Sequence, residues 1–414
     1  MTTFAPVNEQ MDVIRQGALE IIPEEDLARK LERSGRERKP LIIKQGFDPT
    51  RPDLHIGHAV SMRKLHEFQQ LGHQVVFVVG DYTARIGDPS GRSETRPHLS
   101  PAEIEANAAT YRDQVGRLLD IEHVRVEPNS AWLAPLDLAK LLELTATYTV
   151  ARMLERDDFA RRHAENRPIS IVEFMYPLMQ AYDSVALSAD VELGGTDQKF
   201  NLLVGRTVQE RYGQEPQVCL IMPLLRGTDG QLKMSKSYDN YIGITEAPHE
   251  QFGKTMSIPD ELLEEWSRLA VPTRAEDLET SLRLAATDPY TAKRELARRI
   301  VTLFHGAVNA AGAEAHFDRL FREHALPDAI PEIVVALDDP AIRWETGTGA
   351  WLPGLLTRVG LSASNSEAIR LIDQGAITVD GEKIRDRNAR IGLGDGHSPV
   401  LRRGKRQFCR VIGH

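Results

Sequence analysis

Two stretches of this chain set reactive residue types at short, fixed spacing. In PDLHIGHAV, residues 52–60, His55 and His58 stand three apart with Gly57 between them, ahead of an apolar-periodic run. Three readings fit that pair. It can be the start of a surface helix, where a histidine costs little. It can be a metal pair, because i, i+3 histidines share one helix face. It can be a phosphate site, because a helix N-terminus offers free N–H groups and partial positive charge. About 175 residues further on, KMSKS at 233–237 places Lys233 and Lys236 on either side of Ser235. A solvated basic loop is the plain reading. A mobile loop with two ammonium groups and two hydroxyls, Ser235 and Ser237, also suits a polyphosphate that gains charge and then departs.

A third group lies between them. Tyr176, Gln180 and Asp183 occupy i, i+4 and i+7, one face of a helix. Ser170 and Glu173 form a capping-box pattern that starts this helix, and Pro177 inside it implies a kink. An ordinary polar face would read the same way. However, Phe174, Met175, Leu178, Met179 and Val185 surround the trio, so it is not expected to face open water.

Strands must position these residues. KPLIIKQGFDP is a short apolar run ended by Gly and Asp-Pro, and HQVVFVVGD is rich in β-branched residues; both read as buried strands, as does VCLIMPLL. A helix is expected from about Ile56 to Leu71. Strands alternating with helices predict a parallel α/β sheet, with ligands beyond the carboxyl ends of its strands. Residues 8–35 read as polar amphipathic helices, and 246–326 as helices throughout. LPDAIPEIVVALDDPAIRWETGTGA, rich in Pro, Asp and Gly, reads as a connector. Beyond it, SNSEAIRLIDQG is a compact helix with Ser364 and Glu367 as capping box, and AITVDGEKI a hairpin turning at Asp-Gly.

HIGH followed by KMSKS on an α/β sheet resembles the class I aminoacyl-tRNA synthetases. GFDPT, GDPSGRS, YPLMQAYDSVAL and GGTDQKFNLL resemble the tyrosine-specific family among them, from about Gly46 to Gly243, in the subgroup with an intact KMSKS. The resemblance implies a Rossmann-like parallel-sheet catalytic domain over 1–245, with a dimerisation segment inserted near 120–180. An all-α anticodon-binding domain over 246–330, a linker over 331–350 and a small α+β S4-like RNA-binding domain over 351–414 follow. It implies that tyrosine is activated with ATP to tyrosyl-adenylate and passed to the 3′ end of tRNA. Thr50, His55, Gly57, His58, Lys233 and Lys236 would be catalytic. Gly46, Asp48, Gly195, Asp197, Lys236 and Ser237 would meet ATP, with Mg²⁺ on the phosphates rather than in a protein-held site. Asp183 would accept the phenol hydroxyl, while Tyr176, Gln180, Asp88 and Gln198 hold the rest of tyrosine. Arg402, Arg403, Lys405, Arg406 and Arg410 would contact tRNA. The family is homodimeric and cytoplasmic. One slot departs: many members carry a tyrosine where this chain has Lys44, as a second partner for the substrate hydroxyl. Either another residue supplies that bond, or Asp183 reads the hydroxyl with different help. A tryptophan enzyme would be expected to carry asparagine at position 58 and no matching trio. A tRNA-independent adenylating relative and a non-catalytic RNA-binding protein compete with these readings; the basic C-terminal module argues against the first, and intact HIGH and KMSKS against the second.

Composition bounds the rest. A chain of 414 residues, 41% hydrophobic and 27% charged, is expected to form two to four globular domains. It has no apolar run long enough for a membrane span and no visible signal peptide. Cys219 and Cys409 are the only cysteines, in no metal or redox spacing, and Cys219 reads as an inert core thiol. The net charge of −9 argues by itself against a nucleic-acid binder. Yet residues 351–414 hold 11 Lys/Arg against 6 Asp/Glu, so a basic end of +5 follows an acidic body of −14.

Overall fold

The computed structural model describes residues 4–50, 53–89, 100–272, 274–321, 330–345, 347–393, 397–404 and 407–414. They divide into two compact units, Met1–Ala311 and Gly312–His414.

The first unit is built on a six-stranded sheet. Its strands are β1 (Glu20–Ile22), β2 (Ile42–Phe47), β3 (Gln74–Val79), β4 (Val124–Pro128), β5 (Val191–Gly195) and β6 (Val218–Met222). Their spatial order is β1-β6-β5-β2-β3-β4; β1 runs antiparallel at one edge and the other five are mutually parallel. The chain leaves β2 toward β3 on one side and later returns as β5 on the other. That reversal opens a crevice at the carboxyl ends of β2 and β5. The expected strands fall at β2, β3 and β6. The edge strand β1 was not expected; it interrupts the two N-terminal helices, Val7–Arg15 and Glu24–Glu37, and three residues carry no readable period.

The helix after β2 spans Ile56–Gln70 and buries Ala59, Val60, Met62, Leu65 and Phe68 against the sheet. It stops where Gly72 takes φ +89°, a value that favours glycine. The long helix Ile171–Leu187 starts as expected: the Ser170 N–H donates to Glu173 Oε1 at 2.8 Å. The buried Arg162 guanidinium grips the same carboxylate at 2.6 and 2.9 Å, so this helix start is pinned by charge as well as by its cap.

The helices from 248 to 305 do not form a core of their own. Ile258, Leu262, Trp266, Ile300 and Phe304 join the same apolar cluster as Ile43, Leu65 and Phe77. The expected boundary at 245/246 is therefore a change of secondary structure and not a break in packing.

The second unit carries a five-stranded sheet in the order β10-β9-β12-β13-β7, from β7 (Glu332–Val335), β9 (Ile377–Val379), β10 (Glu382–Lys383), β12 (Val400–Arg403) and β13 (Gln407–Gly413). A two-residue ladder joins β8 (Ala350–Trp351) to β11 (Arg390–Ile391). The stretch 331–350, expected as a linker, is corrected here. Its EIVV is β7, paired parallel to the last strand β13, with Val335 fully buried. Pro and Asp around EIVV hid a strand too short to show its alternation. The expected hairpin is β9–β10, turning at Asp380 (φ 50°) and Gly381 (φ 88°). The helix Asn365–Asp373 is capped by Ser364, but the Glu367 carboxylate reaches the Ala363 N–H at 2.7 Å rather than its own cap residue.

Candidate active site

The crevice beyond β2 and β5 is a cavity of about 280 Å³. It brings together Thr50, His55, Gly57, His58, Lys233 and Lys236 with Gly46, Asp48, Gly195 and Asp197, and these with Asp88, Tyr176, Gln180, Asp183 and Gln198. Every residue expected in ATP or tyrosine chemistry thus lines one space, except Ser237, whose side chain lies outside the described residues. Arg51, Pro52 and the Ser90–Gly91 part of GDPSG also lie outside them.

Backbone pairing closes the gap of about 175 residues between the two motifs. The Ile56 N–H donates to Ile242 O at 3.0 Å, the Ile244 N–H to Leu54 O at 3.0 Å, and His55 bridges Gly243. The segment after KMSKS is therefore stitched to the segment that enters the HIGH helix. A side chain at Gly57 would meet the His55 ring at 3.0 Å and the Met234 Cβ at 3.5 Å, so glycine here also serves the packing of one motif on the other.

The two imidazoles stack, with centroids 3.7 Å apart. The His55 N–H donates to His58 Nδ1 at 3.2 Å, which leaves the His58 proton on Nε2. Burial, then the charges of Lys236 and Lys233, lowers the His58 pKa to about 3. Burial and the neighbouring His58, Lys236 and Lys233 take His55 well below its ordinary range too. Both rings are neutral at pH 7. They offer N–H dipoles to a phosphate, while the two lysines bring the positive charge. No described group of three or more His, Cys, Asp or Glu side chains could hold a metal, and the metal-pair reading of the histidines finds no further ligand among the described residues.

KMSKS rides on a hairpin-like loop. The Met234 N–H donates to Leu225 O at 2.8 Å and the Gly227 N–H to Leu232 O at 2.8 Å. Buried Asn240 holds the loop from inside, accepting the Ser235 N–H at 2.8 Å and donating to Asp229 Oδ2 at 2.9 Å and Lys233 O at 3.2 Å. Lys233 is ion-paired with Asp197, and Lys236 begins a short 3-10 turn.

On the side of the cavity lined by the Tyr-Gln-Asp trio, Asp183 is 4% exposed. Its Oδ1 accepts the Trp132 indole N–H at 2.7 Å and its Oδ2 the Asn129 amide at 3.4 Å. Burial lifts its pKa to about 7, against the opposing pull of Lys44, Trp132 and Asn129. Trp132 and Asn129, neither singled out from sequence, are the donors that hold the Asp183 carboxylate. A tryptophan N–H withdrawn from water needs an acceptor, and partly buried Trp132, one of only four tryptophans, carried that signal. Lys44 is sealed away, 1% exposed, ion-paired to Glu192 at 3.0 Å and donating to Gln180 O at 3.2 Å.

Other expected contacts are already knitted to one another. The Tyr176 hydroxyl donates to Asp48 Oδ2 at 2.9 Å, and Thr83 donates to Asp48 Oδ1 at 2.7 Å. The Gln198 amide donates to Asp88 Oδ2 at 2.7 Å. Gly80, unremarked in the sequence, sits where a Cβ would fall 2.0 Å from Asp48 Oδ1.

Of the five basic residues expected to meet RNA, Arg402 and Arg403 lie on β12 and Arg410 on β13, while Lys405 and Arg406 lie outside the described residues. The basic end is a hairpin rather than a loose tail. Arg403 donates to Leu361 O at 2.8 Å and pairs with Glu367 at 3.0 Å; Arg410 lies 3.8 Å from Glu332. Arg402 stacks over Phe408 at 5.3 Å.

Residues 36–322 match the family model of class I tRNA synthetases (W and Y), and residues 335–411 match the model of the tyrosine–tRNA ligase SYY-like C-terminal domain. The tyrosine–tRNA ligase of Moorella thermoacetica is 52% identical over 408 residues, covering 98% of this chain and 96% of that protein. That of Geobacter sulfurreducens is 50% identical, covering 98% and 99%. Among solved structures, a C-terminally truncated mitochondrial tyrosyl-tRNA synthetase from Aspergillus nidulans superposes with a TM-score of 0.62 at 23% identity, over 76% of this chain and 94% of that one. The tyrosyl-tRNA synthetase of Archaeoglobus fulgidus, solved with L-tyrosine, gives 0.60 at 22% identity, over 75% and 100%. The solved structures share the fold.

Proposed function

The chain belongs to the tyrosine–tRNA ligase family of class I synthetases, and on that premise we propose how its own residues carry the reaction. It activates L-tyrosine with ATP and transfers the tyrosyl group to tRNA. The observation that carries this assignment of roles is the single cavity that holds HIGH, KMSKS and the Tyr-Gln-Asp trio together.

The tyrosine carboxylate is already a nucleophile, so no general base is required. It attacks the α-phosphorus of ATP in line, a C–O–P bond forms, and pyrophosphate leaves with its electron pair. Catalysis is positioning and charge stabilisation. Neutral His55 and His58 present N–H donors at the helix N-terminus. Thr50 adds a hydroxyl. Lys236, and Lys233 once it turns from Asp197, supply positive charge where the leaving group gains negative charge. Mg²⁺ carried in with ATP would be held by the phosphate oxygens and would neutralise charge on the departing pyrophosphate, with no carboxylate of the site assigned to it. Asp183, set by Trp132 and Asn129, accepts the phenol hydroxyl. Gln180, Tyr176 and Asp88 surround the ammonium, and Gln198 the carboxylate. Asp197 and Gly195 lie where the ribose is expected. In the second step a ribose hydroxyl of the tRNA 3′ end attacks the mixed anhydride and AMP leaves.

The basic end of the chain binds tRNA phosphates, with Arg402, Lys405 and Arg406 foremost. The protein works as a homodimer in the cytoplasm. Leu138 (71% exposed), Leu142 (61%) and Ile171 (82%) support the dimer contact, since they leave an apolar face open within the segment expected to dimerise. Pyrophosphate exchange across a panel of amino acids tests the substrate. Tyrosine should be strongly preferred; a preference for any other amino acid overturns the assignment.

A further inference from the structure

Gln180 has an amide that can point either way, and only one way suits an ammonium. The NH₂ end donates and cannot accept from a cation; the oxygen end can accept. Its orientation is decided by what lies behind it. Gln180 Nε2 donates to Glu192 Oε1 at 3.0 Å. Glu192 is 1% exposed, salt-bridged to Lys44 at 3.0 Å and the acceptor for Ser184 and Gln217, so its oxygens face Gln180 as acceptors. The NH₂ must therefore face Glu192, and the oxygen is left over. Gln180 Oε1 is sealed from solvent without a hydrogen-bond partner in the protein, on a residue that lines the cavity. A buried acceptor left open in this way costs free energy unless a donor arrives.

The support is built into the sheet. Lys44 and Glu192 are register partners on β2 and β5. Lys44 also donates to the Gln180 carbonyl, which ties that helical turn to β2. Ser184 and Gln217 donate to Glu192 Oε2, so the carboxylate itself cannot turn.

We propose that Lys44 and Glu192 are positioning residues that lock the Gln180 amide with its oxygen toward the cavity, and so make the site selective for an amino acid that carries its ammonium group. This rests on the reading of Gln180 as an ammonium contact. It also gives the Lys44 slot a task other than meeting the phenol.

The test compares equilibrium binding of L-tyrosine and of 3-(4-hydroxyphenyl)propanoate, which lacks only the ammonium, to the full chain. Lys44→Met/Glu192→Met removes both charges together, so neither is left buried alone. Its tyrosine Kd should rise about tenfold or more, the scale of one hydrogen bond to a charged group, while the des-amino Kd stays within about threefold. Adding Gln180→Glu should restore tyrosine binding in that background, because a carboxylate accepts whichever way it turns. The same Gln180→Glu change alone should weaken tyrosine binding, because two carboxylates then face each other. A purely structural role for the pair would not produce that reversal. If the double variant does not fold, judged by circular dichroism, Glu192→Gln takes its place. It lets the Gln180 amide meet a donor, and should raise the tyrosine Kd about threefold or more with the des-amino Kd unmoved. An unchanged preference for tyrosine, or no restoration by Gln180→Glu, overturns the proposal. Gln180→Ala separates the two levels. If it leaves the preference intact, the ammonium reading of Gln180 fails and the proposal with it. If it abolishes the preference while the pair's variants keep it, only the positioning role fails.

Discussion

Asp183 is a carboxylate with almost no access to water, and it is the acceptor we propose for the tyrosine phenol. Two consequences follow from that placement. Asp183→Asn should cut the ratio of kcat/KM for tyrosine over phenylalanine by about tenfold or more, since a charged acceptor for one buried hydroxyl is worth roughly 1.5–3 kcal/mol. Tyrosine-specific synthetases are the reference case for such discrimination, at about 10⁵. An unchanged ratio would assign the phenol to another residue. The second consequence is a pH dependence of stability. The unfolded chain ionises Asp183 near the ordinary 3.8, whereas the fold holds its proton to about 7. The unfolded state therefore binds fewer protons between those values, and the stability that protonated Asp183 provides is lost as pH rises through about 7. Without tyrosine, the melting temperature of Asp183→Asn relative to the parent should thus climb from pH 5 to pH 8. A difference that stays flat would show that Asp183 is ionised throughout. Lys236 makes a contrasting case. Its charge matters most when pyrophosphate leaves, so Lys236→Ala should slow activation by about 10²-fold with tyrosine affinity nearly unchanged. Stopped-flow formation of the adenylate, beside equilibrium tyrosine binding, measures both.

At the scale of elements, the informative unit is the loop that carries KMSKS. Met234 and Leu225 anchor it in the main apolar cluster, and its shape depends on Asn240 reaching into it. Gly227 makes that reach possible: a Cβ there would fall 2.2 Å from Asn240 Nδ2 and 2.6 Å from its backbone oxygen. Gly227→Ala must therefore shift Asn240 and with it Lys233 and Ser235. The expected result is an activation rate lowered by about tenfold or more, with the global melting temperature falling by only a few degrees, because the β2–β6 core is untouched. If the melting temperature drops steeply while the rate per folded molecule is kept, the loop's clasp serves the fold and not the chemistry. The motif itself was readable from sequence because it follows HIGH in an α/β pattern; alone it also reads as a solvated basic loop. The clasp was not, because Asn240 and Gly227 are ordinary loop residues until their contact is seen.

For the whole molecule, the two compact units invite separation. The site lies entirely within the first, and the basic stretch 351–414, with 11 Lys/Arg against 6 Asp/Glu, within the second. A chain ending at Phe321, the last residue of the helix Ala307–Phe321, should still make tyrosyl-adenylate and should charge tRNA poorly. Ending it near Gly349 instead would keep β7 without β13 and expose Ile333 and Val335, so that product is expected to aggregate. The intact protein's KM for tRNA should rise steeply with salt, because each phosphate contact releases roughly 0.7–0.9 of a counterion. The KM of the shorter chain should depend on salt less. Equal charging by both chains at physiological salt would remove the basic stretch 351–414 from tRNA recognition.

What the sequence determined by itself was the chemistry and its class. HIGH, KMSKS and the Tyr-Gln-Asp trio each place side chains on one local element, and helical spacing or loop composition is a local property. The long apolar runs of β2, β3 and β6 were legible for the same reason: continuous burial leaves a continuous run. Only the tertiary structure decided what depends on residues far apart in the chain. It set Trp132 and Asn129 against Asp183, placed β1 and β7 at sheet edges, fused the helices from 248 to 305 into the sheet's core, and put Lys44 behind Gln180 in a pair with Glu192. Strands of three or four residues have no period to read. A buried hydrogen bond across 136 or more residues has no trace in either partner's neighbourhood until the sheet register brings Lys44 level with Glu192.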